Sequence, residues 1–122
     1  MKIFFVIFTI LVISACASSS EDMGLVKSSN WSEIGRNDAA NGSHKKSISQ
    51  LEELNDKYMG SEVDYQAYLE GYDTGLGSYC TLDNAYLLGY EGKMYNGICD
   101  ELESGKKFRE RYEDAKRASE DF

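Results

Sequence analysis

The sequence predicts a small, mainly α-helical domain behind a short N-terminal leader. Three observations support this prediction: an apolar run near the N-terminus, glycines and tyrosines that recur at helical spacing, and a charged C-terminal stretch with a thin apolar stripe. The chain has 122 residues, which is enough for one small domain. Eight of its nine tyrosines lie between Tyr58 and Tyr95. They argue against disorder, because a Tyr can bury a large area once its hydroxyl has a partner.

The N-terminus has the pattern of an export signal. Lys2 precedes an apolar run over residues 3–13, and such a run of about 7–15 residues after a basic start is typical of secretory signals. It is too short to span a bilayer, which takes roughly 20 apolar residues. Residues 11–16 read L-V-I-S-A-C, which resembles the lipobox of bacterial lipoproteins. This resemblance implies a signal peptide over residues 1–15 and lipidation of Cys16 with palmitate-type acyl chains. The alternative is an ordinary cleaved signal in which Cys16 plays no part.

The residues after Cys16 bear on where the protein is sorted and on how it is attached. Ala17, and not Asp, follows the cysteine, so the lipoprotein resemblance implies the outer membrane, facing the periplasm, in a host with two membranes. Residues 16–30 are rich in serine and have no hydrophobic period, which predicts a flexible tether with a reach of about 20 Å. The folded domain is therefore predicted to occupy residues 31–122.

Glycines and aromatic residues recur at spacings of three and four, which places them along single helix faces. Because Gly in a helix costs about 1 kcal/mol relative to Ala, repeated use of it suggests that helices approach each other closely. The alternative is that these glycines end short helices or form turns. The spaced sets are Trp31, Gly35, Asp38 and Gly42; Tyr68, Tyr72, Gly75 and Tyr79; and Tyr86, Gly89, Tyr90 and Gly97.

Two further segments have amphipathic helical patterns. Residues 47–58 place Ile48, Leu51 and Leu54 at helical spacing. Residues 101–120 predict a solvated helix that covers the core with a narrow stripe. That stripe consists of Phe108, Tyr112 and Ala115, and the opposite-charge pairs beside it are Glu103 with Lys107, Lys106 with Glu110, and Glu113 with Arg117.

If Cys16 carries lipid, Cys80 and Cys99 remain from the three cysteines. An exported chain enters an oxidising compartment, where a disulfide between them is the default expectation. A redox or metal-binding pair is the alternative, although the spacing is not C-x-x-C and His44 is the only histidine.

Composition and motifs exclude several functions. A formal net charge of -8 argues against nucleic acid as a partner. The sequence has no P-loop, G-x-S-x-G or H-E-x-x-H motif and predicts neither a cofactor nor a metal site. Asp38, Asp73 and Glu91 are candidates for an acid–base group, but carboxylates beside glycines more often cap turns or accept hydrogen bonds from Tyr hydroxyls.

The motifs together resemble one family, the small proteobacterial lipoproteins of domain of unknown function 2799. The resemblance covers residues 31–112 and implies a lipidated envelope address and paired cysteines, without any enzymatic activity. The motifs that carry it are W-x-x-I-G-x-x-D at 31–38, Y-x-x-G-Y-x-x-G-L-x-x-Y-C at 68–80, A-Y-x-x-G-x-x-G-x-x-Y-x-G-x-C at 85–99 and K-F-R at 107–109.

The sequence therefore predicts a lipid-anchored, non-catalytic binding or structural module whose partner is an envelope protein or peptidoglycan. The alternative is a carboxylate-based hydrolase acting on cell-wall material, which needs two acids converging in a cleft. Aromatic side chains beside small residues suit protein contacts and sugar stacking. The residues predicted for this binding surface are Trp31, Asp38, Tyr68, Tyr72, Asp73, Tyr86, Tyr90 and Tyr95.

Overall fold

The computed structural model describes residues 17–122, in which six helices and no strand are present. The prediction of a mainly α-helical domain is confirmed. The predicted signal peptide and Cys16 lie outside the described residues. The helices are α1 (Ala17–Lys27), α2 (Trp31–Ala40), α3 (Ile48–Lys57), α4 (Tyr65–Tyr79), α5 (Leu82–Tyr90) and α6 (Gly105–Glu120).

Four of the helices begin at a side-chain N-cap. The Ser47 hydroxyl accepts a hydrogen bond from the backbone N–H of Gln50, whose side chain accepts one from the Ser47 backbone N–H in return. This capping box satisfies two backbone donors that the first turn of a helix otherwise leaves unpaired. Asn30, Asp64 and Thr81 cap α2, α4 and α5 in the same way, each through a single bond.

The core has two parts, and α4 contributes to both. The first part contains Trp31, Ile34 and Leu51 with Tyr68 from the N-terminal half of α4. The second part surrounds Phe108 of α6 and includes Tyr79 from the last turn of α4. Helix α4 therefore joins the α1–α3 half of the domain to the α5–α6 half.

Four helical glycines lie where two helices touch through their backbones. A Cβ atom built on any of them would overlap a carbonyl oxygen of the facing helix, so only Gly allows this approach. The interpretation of these glycines as helix-packing residues is confirmed. The overlapping pairs are Gly35 with Tyr68, Gly71 with Ser32, Gly75 with Arg36, and Gly89 with Tyr112.

Two other glycines follow the alternative interpretation and form turns. Gly42 has a φ of +74° and Gly97 a φ of +83°, a left-handed conformation that favours glycine. Helix α2 ends at Ala40, so the prediction that Gly42 continues its face is wrong. Gly97 likewise lies beyond the end of α5.

The N-terminal part of the described chain differs from the predicted tether. Residues 17–27 form α1, and Val26 near its end is completely buried against the first part of the core. The serine-rich composition indicated a flexible segment, but the packing of Leu25 and Val26 outweighs weak local propensity. Ordered structure therefore begins before residue 31.

Helix α6 has the predicted stripe, with Phe108, Tyr112 and Ala115 all buried. It begins at Gly105, not at residue 101, because residues 101–104 form turns that lead into it. Of the three predicted opposite-charge pairs, only Lys106 with Glu110 is formed, at 3.9 Å between Nζ and Oε1. The other two are absent, and Arg117 pairs instead with Asp114, three residues earlier.

Candidate functional site

Asp38, the acid predicted from the first motif, is an acceptor in a polar cluster between α2, α4 and the 41–47 segment. Its Oδ2 accepts a hydrogen bond from the Tyr68 hydroxyl at 2.8 Å. The same oxygen forms an ion pair with Lys46 Nζ at 2.6 Å. The Tyr68 hydroxyl in turn accepts a bond from the Lys46 backbone N–H at 2.9 Å. Burial, with the neighbouring Asp38 carboxylate, raises the pKa of Tyr68 well above its ordinary value. The cluster fastens the 41–47 segment to α4.

Three residues predicted for the binding surface are instead in the core. Trp31, Tyr68 and Tyr72 are almost fully buried. Each polar atom has a partner: the Trp31 indole N–H donates to the Glu62 carbonyl at 2.8 Å, and the Tyr72 hydroxyl donates to the Ser43 carbonyl at 2.7 Å. Satisfied hydrogen bonds let these large rings enter the interior. Their prediction as an exposed surface is therefore wrong.

Tyr95, also predicted for the surface, is half-buried and holds the turn that contains Cys99. Its hydroxyl donates to Asp100 Oδ1 at 2.8 Å and accepts the Cys99 backbone N–H at 3.0 Å. Arg109 binds the other Asp100 oxygen at 2.5 Å, and this hydrogen bond lowers the pKa of Asp100. Burial and the bond to Asp100 raise the pKa of Tyr95 to about 12. This cluster is structural, as that of Asp38 is.

Cys80 and Cys99 form a disulfide with their Cα atoms 5.7 Å apart. Cys99 is buried in the second part of the core. The bridge joins the end of α4 to the turn that Tyr95 supports, and it confirms the predicted pairing. Cys16, the predicted lipidation site, is outside the described residues.

Tyr86 and Tyr90 are the two predicted residues that do present aromatic surface. Their rings stack along α5 with centroids 5.7 Å apart, and the Arg111 guanidinium from α6 lies 4.8 Å from the Tyr86 ring centroid. Leu82 and Leu87 extend the same apolar surface, which we call the α5 face. Exposed fractions are 48% for Leu82, 38% for Tyr86, 52% for Leu87 and 52% for Tyr90.

Asp73 lies at a cleft between α4, the 41–47 segment and residues 97–102. The cleft has a volume of about 520 Å³ and is lined by charged side chains and by aliphatic ones. His44, Lys45 and Glu101 are not among the site residues predicted from the sequence. No sequence signal joins them, since the fold brings three separate segments together. The charged residues of this lining are His44, Lys45, Asp73 and Glu101.

The three acids considered for acid–base chemistry have different surroundings. Asp38 is paired with Lys46, and Glu91 is paired with Lys93 at 2.9 Å between Oε2 and Nζ. Asp73 is the one that faces a cleft. Within residues 17–122, no group of three or more His, Cys, Asp or Glu side chains is placed to hold a metal ion.

In the described part of the chain, none of the helices has the length and apolar character needed to cross a membrane.

Comparisons with other proteins show only the family to which the chain belongs. Searches of curated proteins and of solved structures found no match for this chain. A family model described as "Protein of unknown function (DUF2799)" matches residues 30–117. The match covers the Gly- and Tyr-rich helices and both bridged cysteines, and the chain therefore belongs to the DUF2799 family.

Proposed function

We propose that the protein is a lipid-anchored, non-catalytic module of the cell envelope that binds another envelope protein through the α5 face. The address rests on the leader: a basic start, an apolar run over residues 3–13 and the small residues before Cys16. Several acyl chains on Cys16 would hold the protein firmly, because each buried CH₂ contributes about 0.8 kcal/mol. In a host with two membranes, we place it on the outer membrane, facing the periplasm.

Helix α1 changes how such an anchor would position the domain. It begins at Ala17, directly after Cys16, and it reaches the core at Val26. At 1.5 Å per residue, a helix over these positions spans about 15 Å. The domain would therefore sit close to the membrane surface on a short rigid spacer, in place of the longer flexible tether that the serines suggest. Partners would be within reach only if they are at that surface.

The α5 face is the observation that carries the binding proposal. Three of its residues, Leu82, Tyr86 and Tyr90, are four positions apart and lie on one side of the helix, and Leu87 lies beside them. All four are exposed in a domain that buries Trp31 and Tyr68 almost completely. Tyr and Arg are enriched in protein interfaces, and rings already ordered by stacking lose little entropy on binding. The α5 face with Arg111 has this composition.

The chemistry of the face favours a protein over a glycan or a second copy of the chain. The Tyr86 ring already makes stacked contacts with Tyr90 and Arg111, which leaves less ring surface for a sugar. Two copies of a chain with a net charge of -8 would repel each other. We therefore expect a protein partner that has an apolar patch for the α5 face and a carboxylate for Arg111.

The hydrolase alternative has weaker support. It needs two carboxylates converging on a substrate, but Asp38 and Glu91 are each held in an ion pair. Asp73 and Glu101 share the cleft and are the pair on which such an activity would depend. If the protein hydrolysed the wall, Asp73→Asn and Glu101→Gln would abolish that activity. Asp38→Asn would instead lower the stability of the fold, because it breaks the ion pair with Lys46.

Site-specific photocrosslinking in intact cells tests the binding proposal. A photoreactive phenylalanine analogue replaces Leu87 on the α5 face, and a matched variant carries it at Glu52, an exposed position on α3. We expect an adduct with one envelope protein from position 87 and none from position 52. Tyr90→Ala should reduce that adduct while the melting temperature stays unchanged, since Tyr90 is exposed.

Reciprocal crosslinking supplies the second half of the test. The same analogue, placed on the identified protein, should return an adduct with this chain at α5. Equal adducts from positions 87 and 52, or an adduct only between two copies of this chain, would overturn the proposal.

A further inference from the structure

The cleft lined by His44, Lys45, Asp73 and Glu101, here named the charged cleft, has no role in the proposed contact through α5. We propose that it binds a short peptide that carries both an ammonium group and a carboxylate. Its volume of about 520 Å³ lies within the range of roughly 300–1,000 Å³ that small-ligand sites occupy. The site does not depend on the anchor or on the α5 face.

The walls of the charged cleft are fixed by hydrogen bonds and by the disulfide. On the 41–47 side, the Tyr72 hydroxyl holds the Ser43 carbonyl at 2.7 Å and the Asn96 amide donates to the Gly42 carbonyl at 3.1 Å. On the other side, the Cys80–Cys99 disulfide leads directly into residues 100–102. A cleft held in this way is formed before any ligand arrives, which lowers the entropic cost of binding.

The charged groups of the cleft are left without partners by the protein. Within residues 17–122, the side chains of His44, Asp73 and Glu101 make no hydrogen bond or ion pair. In the same part of the chain, the Lys45 side chain forms no ion pair, and its Nζ lies 5.3 Å from the Tyr72 ring centroid. The next residue after Lys45 differs in this respect, because the Lys46 ammonium is paired with the Asp38 carboxylate. A ligand can therefore approach both signs of charge without first breaking an internal pair.

The lining selects a ligand that has both charges. A ligand with carboxylates alone would meet Asp73 and Glu101 as well as the negative field of a chain with net charge -8. A ligand with amines alone would meet Lys45. A peptide with free termini places an ammonium near the acids and a carboxylate near Lys45. Leu76, Ile98 and Leu102 offer an apolar surface for a side chain between those ends.

Nuclear magnetic resonance titration of the nitrogen-15-labelled mature domain tests this inference. The probe is a mixture of tripeptides Ala-X-Ala with free termini, in which X is Leu, Val or Phe. We expect saturable shifts in the backbone amides of residues 44–45, 73–76 and 97–102. N-acetylated and C-amidated versions of the same peptides should each bind about tenfold more weakly, the loss of one charge-assisted contact.

Variants then assign each charge to its partner. Lys45→Gln should weaken the free peptide about tenfold but leave the amidated peptide unaffected, because the contact is already missing. The double variant Asp73→Asn, Glu101→Gln should weaken binding of the free peptide about tenfold. It should leave binding of the acetylated peptide unaffected, because that peptide has no ammonium group for the acids to bind. Glu52→Gln, on α3 and outside the cleft, is the matched control and should change nothing. All four side chains are exposed, so the folded spectra should be retained.

Three results would overturn the inference. The first is the absence of saturable shifts with the free tripeptides. The second is shifts that map to the α5 face instead of to the cleft. The third is equal affinity of the free and capped peptides, which would show that neither charge is recognised.

Discussion

Gly71 in α4 packs directly against the backbone carbonyl of Ser32 in α2, with no space between them for a Cβ atom. Gly71→Ala should therefore force α2 and α4 apart and expose part of the first core. Overpacking at such a site typically costs about 1–3 kcal/mol. We expect a lower free energy of unfolding, measured by urea denaturation with far-ultraviolet circular dichroism.

Gly77 supplies the matched control in the same helix. A Cβ atom there meets nothing within 4 Å, and the backbone is helical. Gly77→Ala should stabilise the domain by up to about 1 kcal/mol, because Ala has the higher helix propensity. If the two alanine variants had equal stabilities, the account of close backbone packing would be wrong.

Tyr68→Phe should destabilise the domain although the ring remains. The change removes the donor to Asp38 and the acceptor for the Lys46 backbone N–H. Leaving buried polar groups unpaired costs about 1–3 kcal/mol. Tyr65→Phe is the control: that ring stacks on Tyr68 with centroids 6.2 Å apart, and its hydroxyl has no hydrogen bond within residues 17–122. Urea denaturation should leave Tyr65→Phe within experimental error of the wild type, and a similar loss in both variants would refute the role of the Tyr68 hydroxyl.

Replacing both bridged cysteines by serine should lower the melting temperature. In the chain-entropy model, a disulfide that joins residues 19 apart contributes about 3 kcal/mol. Differential scanning calorimetry of the Cys80→Ser, Cys99→Ser double variant, with the oxidised wild type as reference, measures the effect. An unchanged melting temperature would mean that Tyr95 and Arg109 hold the 95–100 turn without the bridge.

The domain should lose stability at high pH. Burial raises the pKa of Tyr68, Tyr72 and Tyr79 in the folded state, and burial with Asp100 raises that of Tyr95 to about 12. Unfolded Tyr has a pKa of about 10, so unfolding favours ionisation. The tyrosine contribution to stability is therefore complete below about pH 10 and is lost as the pH rises through the folded pKa values. Urea denaturation at a series of pH values should show this loss, and a free energy of unfolding that stays constant to about pH 12 would contradict it.

Periodicity was sufficient to predict α2 to α6 and the glycines at helix contacts. It placed Gly42 and Gly97 wrongly and did not show which tyrosines are buried. The segments Y-L-E-G-Y at 68–72 and Y-L-L-G-Y at 86–90 look alike. Tyr68 and Tyr72 enter the core because Asp38 and Ser43, from distant segments, satisfy their hydroxyls. Tyr86 and Tyr90 flank a glycine that packs on α6 while their own rings stay outside. Only tertiary contacts distinguish these two cases.

Helix α1 and the charged cleft were not predicted from the sequence. Helix α1 is weak in local propensity and depends on the burial of Val26. The cleft combines residues from the 41–47 segment, α4 and the 97–102 turn, and no spacing rule relates positions so far apart.

Metabolic labelling with a clickable fatty acid tests the central claim, the lipid anchor, most directly. We expect the wild-type protein to be labelled and to sediment with membranes, and Cys16→Ser to lose both properties. The Cys80→Ser, Cys99→Ser variant should be labelled as strongly as the wild type, because its lipid site is intact. An unlabelled wild-type chain, or a label that persists in Cys16→Ser, would contradict the proposed anchor.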